Sequence, residues 1–231
     1  MEKLKSNLYC GDCFSVMEKI PDDSFDYVLT SPPYNRKRND KYNNHKDISL
    51  DYFGLLSKAI NESLRICSGN VFFNIQTNYY NKKDVYSIFG EFSDNIIEVI
   101  IWNKSNPMPN PHVISSYEFF LVLSKKNKSL KAKTTYTKNH FTTPVYSNNP
   151  HRKIHRAVMH PEACKYILSN FCFGGHVFDP FMGVGTTGIV CKDLGLDFSG
   201  VELSQEYFDI SYERLCDDSI WCWDNRSAEG W

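Results

Sequence analysis

Residues 173–188, Phe-Gly-Gly-His-Val-Phe-Asp-Pro-Phe-Met-Gly-Val-Gly-Thr-Thr-Gly, constrain this chain more than any other stretch. His176 to Phe178 read as a short buried strand, which Asp179-Pro180 stops. Gly183, Gly185 and Gly188 then form a G-x-G-x-x-G turn, and residues 186–195 read as a helix. Glycine lets the backbone approach a ligand with no Cβ in the way, so a strand, a glycine turn and a helix N-terminus together suit a nucleotide-like ligand. The same pattern also fits a tight turn in an ordinary α/β domain. Its position is the informative part. Only one further strand, at 198–201, follows it before the chain ends at residue 231. A nucleotide-binding sheet needs more, so its other strands must come from the N-terminal part of the chain.

Upstream, β and α patterns alternate, which predicts a mostly parallel sheet. Strands are expected at 7–10, 25–30, 71–75, 96–102 and 117–124, and helices at 13–20, 51–67, 81–92, 161–173 and 205–215. The tail from residue 216, with three Trp, receives no assignment.

Three strand ends carry chemistry. Gly11-Asp12 puts a carboxylate at the C-terminal end of the first strand, where open α/β sheets bind ligands. Thr30-Ser31-Pro32-Pro33-Tyr34 ends the second. Two prolines cannot continue a strand, and their fixed φ makes a stiff turn whose carbonyls lack ladder partners. Ser31 adds a hydroxyl and Tyr34 a flat ring. Such a turn offers acceptors beside a stacking surface, which suits a planar ring bearing an amino group; it is also what a plain Pro-Pro loop looks like. Glu202 ends the strand after the glycine turn, about where a ribose-binding carboxylate belongs. No Lys follows the glycines, which argues against a phosphate-binding loop of the NTPase type.

The net charge of −1 hides an asymmetry. Residues 125–156 hold nine Lys or Arg and no Asp or Glu, so the remainder carries 17 basic against 27 acidic side chains. A concentrated basic segment on an acidic protein is the footprint expected for a polyanion, although a solvated loop has the same composition. Residues 35–49 are also polar and basic, long enough for a functional loop beside the Pro-Pro turn. No apolar run approaches the ~20 residues of a membrane span, and the N-terminus has no signal-peptide core. A cytoplasmic protein with buried free thiols (Cys67, Cys164, Cys172, Cys191) is therefore expected. Cys10-x-x-Cys13 invites a metal reading, but Cys216 and Cys222 lack the spacing of a second such pair, so no metal is expected.

Thr30 to Tyr34, together with Asp179-Pro180-Phe181-x-Gly183-x-Gly185-Thr186-Thr187, resemble the two signature motifs of amino-group DNA methyltransferases that use S-adenosyl-L-methionine. The proline motif comes first and the glycine motif last, which resembles the circularly permuted β class. Gly11-Asp12, Ile101-Trp102-Asn103-Lys104, Tyr117-Glu118, His155-Arg156 with His160-Pro161, and Gly200-Val201-Glu202 are similar to lesser motifs of that family. The likeness spans roughly residues 4–124 and 152–215.

This resemblance implies a Rossmann-like α/β methyltransferase fold, circularly permuted, with a mostly parallel seven-stranded sheet and helices on both faces. It implies a catalytic domain of residues 1–124 and 152–231, with 125–151 as a small basic target-recognition insertion. Ser31, Pro32, Pro33 and Tyr34 become catalytic candidates. Asp12, Thr30, Asp179, Phe181, Gly183, Gly185, Thr186, Thr187 and Glu202 become candidates for the cofactor, S-adenosyl-L-methionine. Lys37, Arg38, Lys104, Lys131, Lys133, Lys138, His140, Arg152, Lys153 and Arg156 become candidates for nucleic-acid contacts. Ser rather than Asp before the prolines is typical of family members that methylate cytosine at N4, whereas Asp is typical of adenine-N6 enzymes. Double-stranded DNA is the implied partner, with the target base flipped out; a homodimer and a cognate restriction endonuclease are further partners the resemblance allows. An N6-adenine DNA enzyme, an RNA or protein amino-methyltransferase, a silent nucleic-acid-binding module and an NAD-dependent oxidoreductase stand as alternatives. The last would need more βαβ units after the glycine turn than this chain provides.

Overall fold

The computed structural model describes residues 4–35, 49–107, 113–125, 129–146, 158–216 and 220–225, with side chains from 6 to 216 within those ranges. Among the described residues nine strands form one sheet: β1 (Leu4–Cys10), β2 (Phe25–Thr30), β3 (Cys67–Ile75), β4 (Ile96–Lys104), β5 (Tyr117–Leu123), β6 (His140–Thr143), β7 (His176–Asp179), β8 (Asp197–Glu202) and β9 (Ile220–Asn225). Their order across the sheet is β6-β4-β5-β3-β2-β7-β8-β1-β9. Of these, β5 is reversed, pairing antiparallel with β3 and β4; every other described pair is parallel.

Six described helices accompany the sheet: α1 (Cys13–Met17), α2 (Tyr52–Ile66), α3 (Lys82–Glu91), α4 (Pro161–Phe171), α5 (Thr186–Leu194) and α6 (Gln205–Leu215). Strand side chains alternate between two cores. Val71 and Phe73 of β3 point into a cluster with α1, α2 and α3, whereas Phe72 between them points into one with α4, α5 and α6. Both faces of the sheet are thus covered, which explains why the central strands read as continuous apolar runs. Phe72, Phe73, Phe120 and Phe178 are wholly buried, each contributing about 1.5–3 kcal/mol of apolar burial. Asp51 caps α2, its carboxylate accepting from the Gly54 N–H at 2.8 Å.

The expected seven strands become nine. β6 arises inside the basic segment, whose charge masks a short alternation: His140 and Thr142 are exposed while Phe141 and Thr143 are buried. Phe141 stacks on Tyr166 with ring centroids 4.2 Å apart, and Thr143 accepts a hydrogen bond from the Trp102 indole at 2.8 Å. β9, from the unassigned tail, pairs with β1 from Leu4↔Ile220 to Tyr9↔Asn225. Cys67, Cys164, Cys172 and Cys191 are buried and free, as read; Cys216 is disulfide-bonded. Among the described residues no helix is long and apolar enough to cross a membrane.

Candidate active site

Parallel strands end together, so β2, β7, β8 and β1 deliver their following residues to one edge. β7 ends at Asp179, which is 3% exposed. Its Oδ1 accepts from Thr30 Oγ1 at 2.7 Å and from the Phe181 N–H at 3.0 Å, and its Oδ2 accepts from Thr187 Oγ1 at 2.7 Å. Burial raises the Asp179 pKa to about 6, against the lowering effect of those three donors. The glycine turn follows, with Gly183 at φ 54° and Gly185 at φ 79°, left-handed values at which a side chain would be strained. The next glycine of the motif is needed for a different reason. A Cβ on Gly188 would lie 2.7 Å from the Phe198 ring, so its absence lets α5 pack on β8.

Glu202, at the end of β8, is turned toward the backbone. Its Oε2 accepts from the Gly183 N–H at 3.0 Å and its Oε1 from the Ser204 N–H at 2.8 Å, so it braces the glycine turn. Arg214 of α6 adds a guanidinium donor to the Val184 carbonyl. Asp12 stands on the neighbouring strand end, where the Gly11 N–H donates to the Glu202 carbonyl at 2.9 Å. Asp12 Oδ1 accepts from the Ser15 N–H and from Ser15 Oγ, both at 2.9 Å, capping α1. No hydrogen bond from the described residues reaches its Oδ2.

The Pro-Pro turn is held from outside. The Tyr52 hydroxyl donates to the Pro33 carbonyl at 2.7 Å. The side-chain amides of Asn78 and Asn81 donate to the Tyr34 carbonyl at 2.9 and 2.8 Å. Among the described residues nothing donates to the Pro32 carbonyl. Tyr34 is 8% exposed, and its hydroxyl lies 2.9 Å from Ser31 Oγ, 2.7 Å from Asn74 Oδ1 and 3.0 Å from Glu118 Oε2.

These groups converge on a cleft of about 370 Å³, open mouth included. Ser31 lies on one side; Asp179, Phe181, Gly183, Thr186 and Thr187 line the glycine-turn side, with Val158, Met159, Met182 and Val184. The cleft therefore brings one member of the Pro-Pro turn together with five of the residues expected to hold a cofactor. Thr30 reaches it through Asp179, Gly185 caps α5, and Asp12 and Glu202 stand on the adjoining strand ends.

The basic candidates are dispersed. Lys104 forms an ion pair with the buried Glu118 and covers the Trp102 ring at 4.9 Å. Lys131, Lys133, Lys138 and His140 are exposed. Lys133, however, sits over Phe173 at 5.9 Å and bonds through its backbone to Asn170, beside the start of β7. That is the edge of the sheet opposite the cleft. Lys37, Arg38, Arg152, Lys153 and Arg156 lie outside the described residues.

Sequence reasoning missed Tyr52, Asn74, Asn78, Asn81 and Met159. Asn74 near the end of β3 and the polar stretch from Gln76 to Asn81 just past it were the available signal, since polar residues at a strand's carboxyl end face the ligand edge.

The DNA methylase family profile matches residues 25–213 of this chain. The type II methyltransferase M.HinfI of Haemophilus influenzae is 27% identical over 241 residues, covering 89% of this chain and 67% of that protein. The type II methyltransferase M.MwoI of Methanothermobacter wolfeii is 29% identical over 238 residues, covering 91% of this chain; the chain spans only 35% of that relative. Among solved structures, a PvuII DNA methyltransferase described as cytosine-N4-specific superposes with a TM-score of 0.74 at 19% identity, covering 95% of this chain and 91% of that one. A DNA modification methylase of Thermus thermophilus, solved with S-adenosyl-L-methionine, gives a TM-score of 0.64 at 21% identity, covering 95% and 100%. At such identities these structures establish the likeness of fold.

Proposed function

The chain belongs to the DNA methylase family, and from that premise we propose that it methylates the exocyclic N4 amine of cytosine at specific sites in DNA. The observation that carries this reading is the cleft with Ser31 on one side and the glycine turn, Thr186 and Thr187 on the other. Its first relatives are named as type II methyltransferases and its structural neighbour as cytosine-N4-specific. The chain fits the circularly permuted β class, because its proline motif on β2 precedes its glycine motif on β7.

The residues of the cleft fit S-adenosyl-L-methionine. Among the described residues no Lys or Arg lines it, Asp179 borders it, and two glycines at positive φ keep the turn open. Such a lining suits a cation that has no phosphate. Gly183, Thr186 and Thr187 would hold the cofactor's methionine part, and the carboxylates of Asp12 and Glu202 its adenosine. When bound, the cofactor supplies a methyl group made electrophilic by a positively charged sulfur.

The chain's own residues do the rest. An exocyclic amine is a poor nucleophile because its lone pair is delocalised into the ring. Ser31 Oγ and the Pro32 carbonyl accept its two hydrogens and favour a tetrahedral nitrogen, freeing the lone pair. Tyr52, Asn78 and Asn81 hold the turn still, so those acceptors are preorganised. Opening the duplex to deliver the base costs a few kcal/mol, which contacts in the cleft offset.

Residues 1–124 and 152–231 form the catalytic domain in this reading, and 125–151 the target-recognition insertion that also lends β6 to the sheet. Double-stranded DNA is the partner, with a homodimer and a cognate endonuclease as companions in a cytoplasmic restriction-modification system. Nucleoside mass analysis of DNA incubated with the protein and isotope-labelled cofactor tests the proposal. Label in N4-methylcytosine supports it, label in N6-methyladenine replaces cytosine by adenine, and label in RNA alone overturns the DNA assignment.

A further inference from the structure

Under the Pro-Pro turn lies a buried polar chain. Glu118, on β5, is 3% exposed among apolar strands. A carboxylate there is costly unless it is paired and hydrogen-bonded. It is both: Lys104 of β4 pairs with Oε1, and the Tyr34 hydroxyl reaches Oε2 at 3.0 Å. Tyr34 in turn lies 2.9 Å from Ser31 Oγ, which faces the cleft. Asn74 fixes the direction of the chain. Its amide donates to the Phe119 carbonyl at 3.1 Å, which turns Oδ1 toward Ser31 at 3.1 Å and Tyr34 at 2.7 Å. The Ser31 proton therefore has two inward acceptors, Tyr34 Oη and Asn74 Oδ1. Pointed at either, it leaves the Ser31 lone pairs to the cleft.

We propose that Glu118, clamped by Lys104, is a positioning residue at the inner end of a proton relay running Ser31–Tyr34–Glu118. The inference rests on the amino-methylation reading above. In that reaction the amine nitrogen gives its lone pair to the methyl carbon, the electron pair of the broken carbon–sulfur bond stays on sulfur, and the nitrogen, now positive, must shed one proton. Ser31 Oγ takes that proton and passes its own to Tyr34 Oη. Tyr34 passes its proton to Glu118 Oε2. Glu118 ends neutral and returns the proton to solvent between turnovers. Among the described residues, the groups facing this carboxylate are Lys104 and the Tyr34 hydroxyl, and beyond them the positive charge of Lys104 also acts on His160, the α4 cap.

The simpler role for this pair is to pin β4 to β5, and single-turnover kinetics separates the two. Methyl transfer to DNA is followed with labelled cofactor for the wild type, Glu118→Gln, Glu118→Asp and Tyr34→Phe. The relay predicts that Glu118→Gln and Tyr34→Phe each slow transfer about 10²-fold, with DNA and cofactor affinities changed less than about 3-fold. Glu118→Asp, which keeps a carboxylate at the end of the chain, recovers at least part of the rate that Glu118→Gln loses. The double variant is no slower than the worse single one, because both break one wire. Wild-type rates in Glu118→Gln overturn the relay, as does an equal loss of affinity and rate, or a Glu118→Asp variant as slow as Glu118→Gln. Tyr34→Phe leaves the ion pair intact, so it decides the matter if Glu118→Gln does not fold. If the wild type transfers no methyl group to any nucleic-acid amine, the functional reading itself falls, and the relay falls with it.

Discussion

Thr30 Oγ1 donates to Asp179 Oδ1 across 2.7 Å, joining the last residue of β2 to the last residue of β7 although they stand 149 positions apart in the chain. The two strands are neighbours in the sheet, so the Pro-Pro turn and the glycine turn start from one buried hydrogen bond. Any shift of one turn is felt by the other. Thr187 binds the second oxygen of the same carboxylate and carries the coupling into α5.

Asp179 should make the fold weaker as pH rises. Its pKa is raised from 3.8 to about 6 in the folded state, so between those values the folded protein binds more protons than the unfolded chain. Stability therefore falls as pH climbs through that window, and the full cost, up to about 3 kcal/mol, stands above pH 6. Asp179→Asn keeps an acceptor for Thr30 and removes the charge. Its thermal midpoint should exceed the wild type's at pH 7.5 and match it near pH 4, while calorimetry should show weaker cofactor binding. An unchanged midpoint at pH 7.5 would show that the three donors fully offset burial.

Ser31→Ala should uncouple chemistry from binding. Ser31 faces the cleft, but no backbone in the glycine turn depends on it. Methyl transfer should slow by about 10²-fold, the scale on which one lost polar contact to a reacting group acts. Cofactor affinity should stay within about 2-fold of wild type. A collapse of that affinity in a calorimetric titration would move Ser31 out of the amine pocket.

The two motifs were legible because each breaks a local rule. Two prolines cannot extend β2, and closely spaced glycines admit backbone conformations other residues avoid, so both stretches announced constrained turns at strand ends. The central strands were legible from apolar runs, and α2 from its amphipathic spacing. β6 was hidden because four residues of alternation lie within nine positive charges, and composition over thirty residues outweighs a period read over four. The cleft's polar supports were hidden for another reason. Asn74, Asn78, Asn81 and Tyr52 act on Ser31 and on carbonyls at least 19 residues away, and no local pattern encodes such contacts. Charge alone does not give position either: Lys133 belongs to the basic segment, and its ammonium lies over the Phe173 ring beside the start of β7.

Tyr52→Phe should loosen the Pro-Pro turn without disturbing the core. Tyr52, the first residue of α2, is 3% exposed with its ring in the core, while its hydroxyl reaches the Pro33 carbonyl at 2.7 Å. Removing it leaves a part-buried carbonyl without that donor, a loss of about 1–3 kcal/mol in the local structure. The rate of methyl transfer should fall about 10-fold, and amide exchange should quicken from residue 34 to 35 while β3 stays protected. Equal exchange in the two proteins would mean that Asn78 and Asn81 hold the turn unaided.

Gly188→Ala should destabilise the fold through one ring. An added Cβ would lie 2.7 and 2.8 Å from Phe198 ring atoms and 2.9 Å from Leu215 Cδ1. The same ring closes on Gly200, where a Cβ would stand 2.8 Å from Phe198 Cζ and 2.6 Å from Met182 Sδ. Phe198 thus fills the space that both glycines leave, and it is 2% exposed with nowhere to retreat. Alanine is the better helix former by about 1 kcal/mol, so a gain in stability would be expected if propensity ruled. Overpacking of about 1–3 kcal/mol should outweigh it. The urea midpoint should therefore fall in Gly188→Ala, and Phe198→Leu should recover part of the loss when the two are combined. Phe198→Leu alone opens a void and should lower the midpoint too, so the signature is a double variant more stable than the sum of its parts allows. Strict additivity would show that Leu215, the other neighbour, sets the limit on that helix.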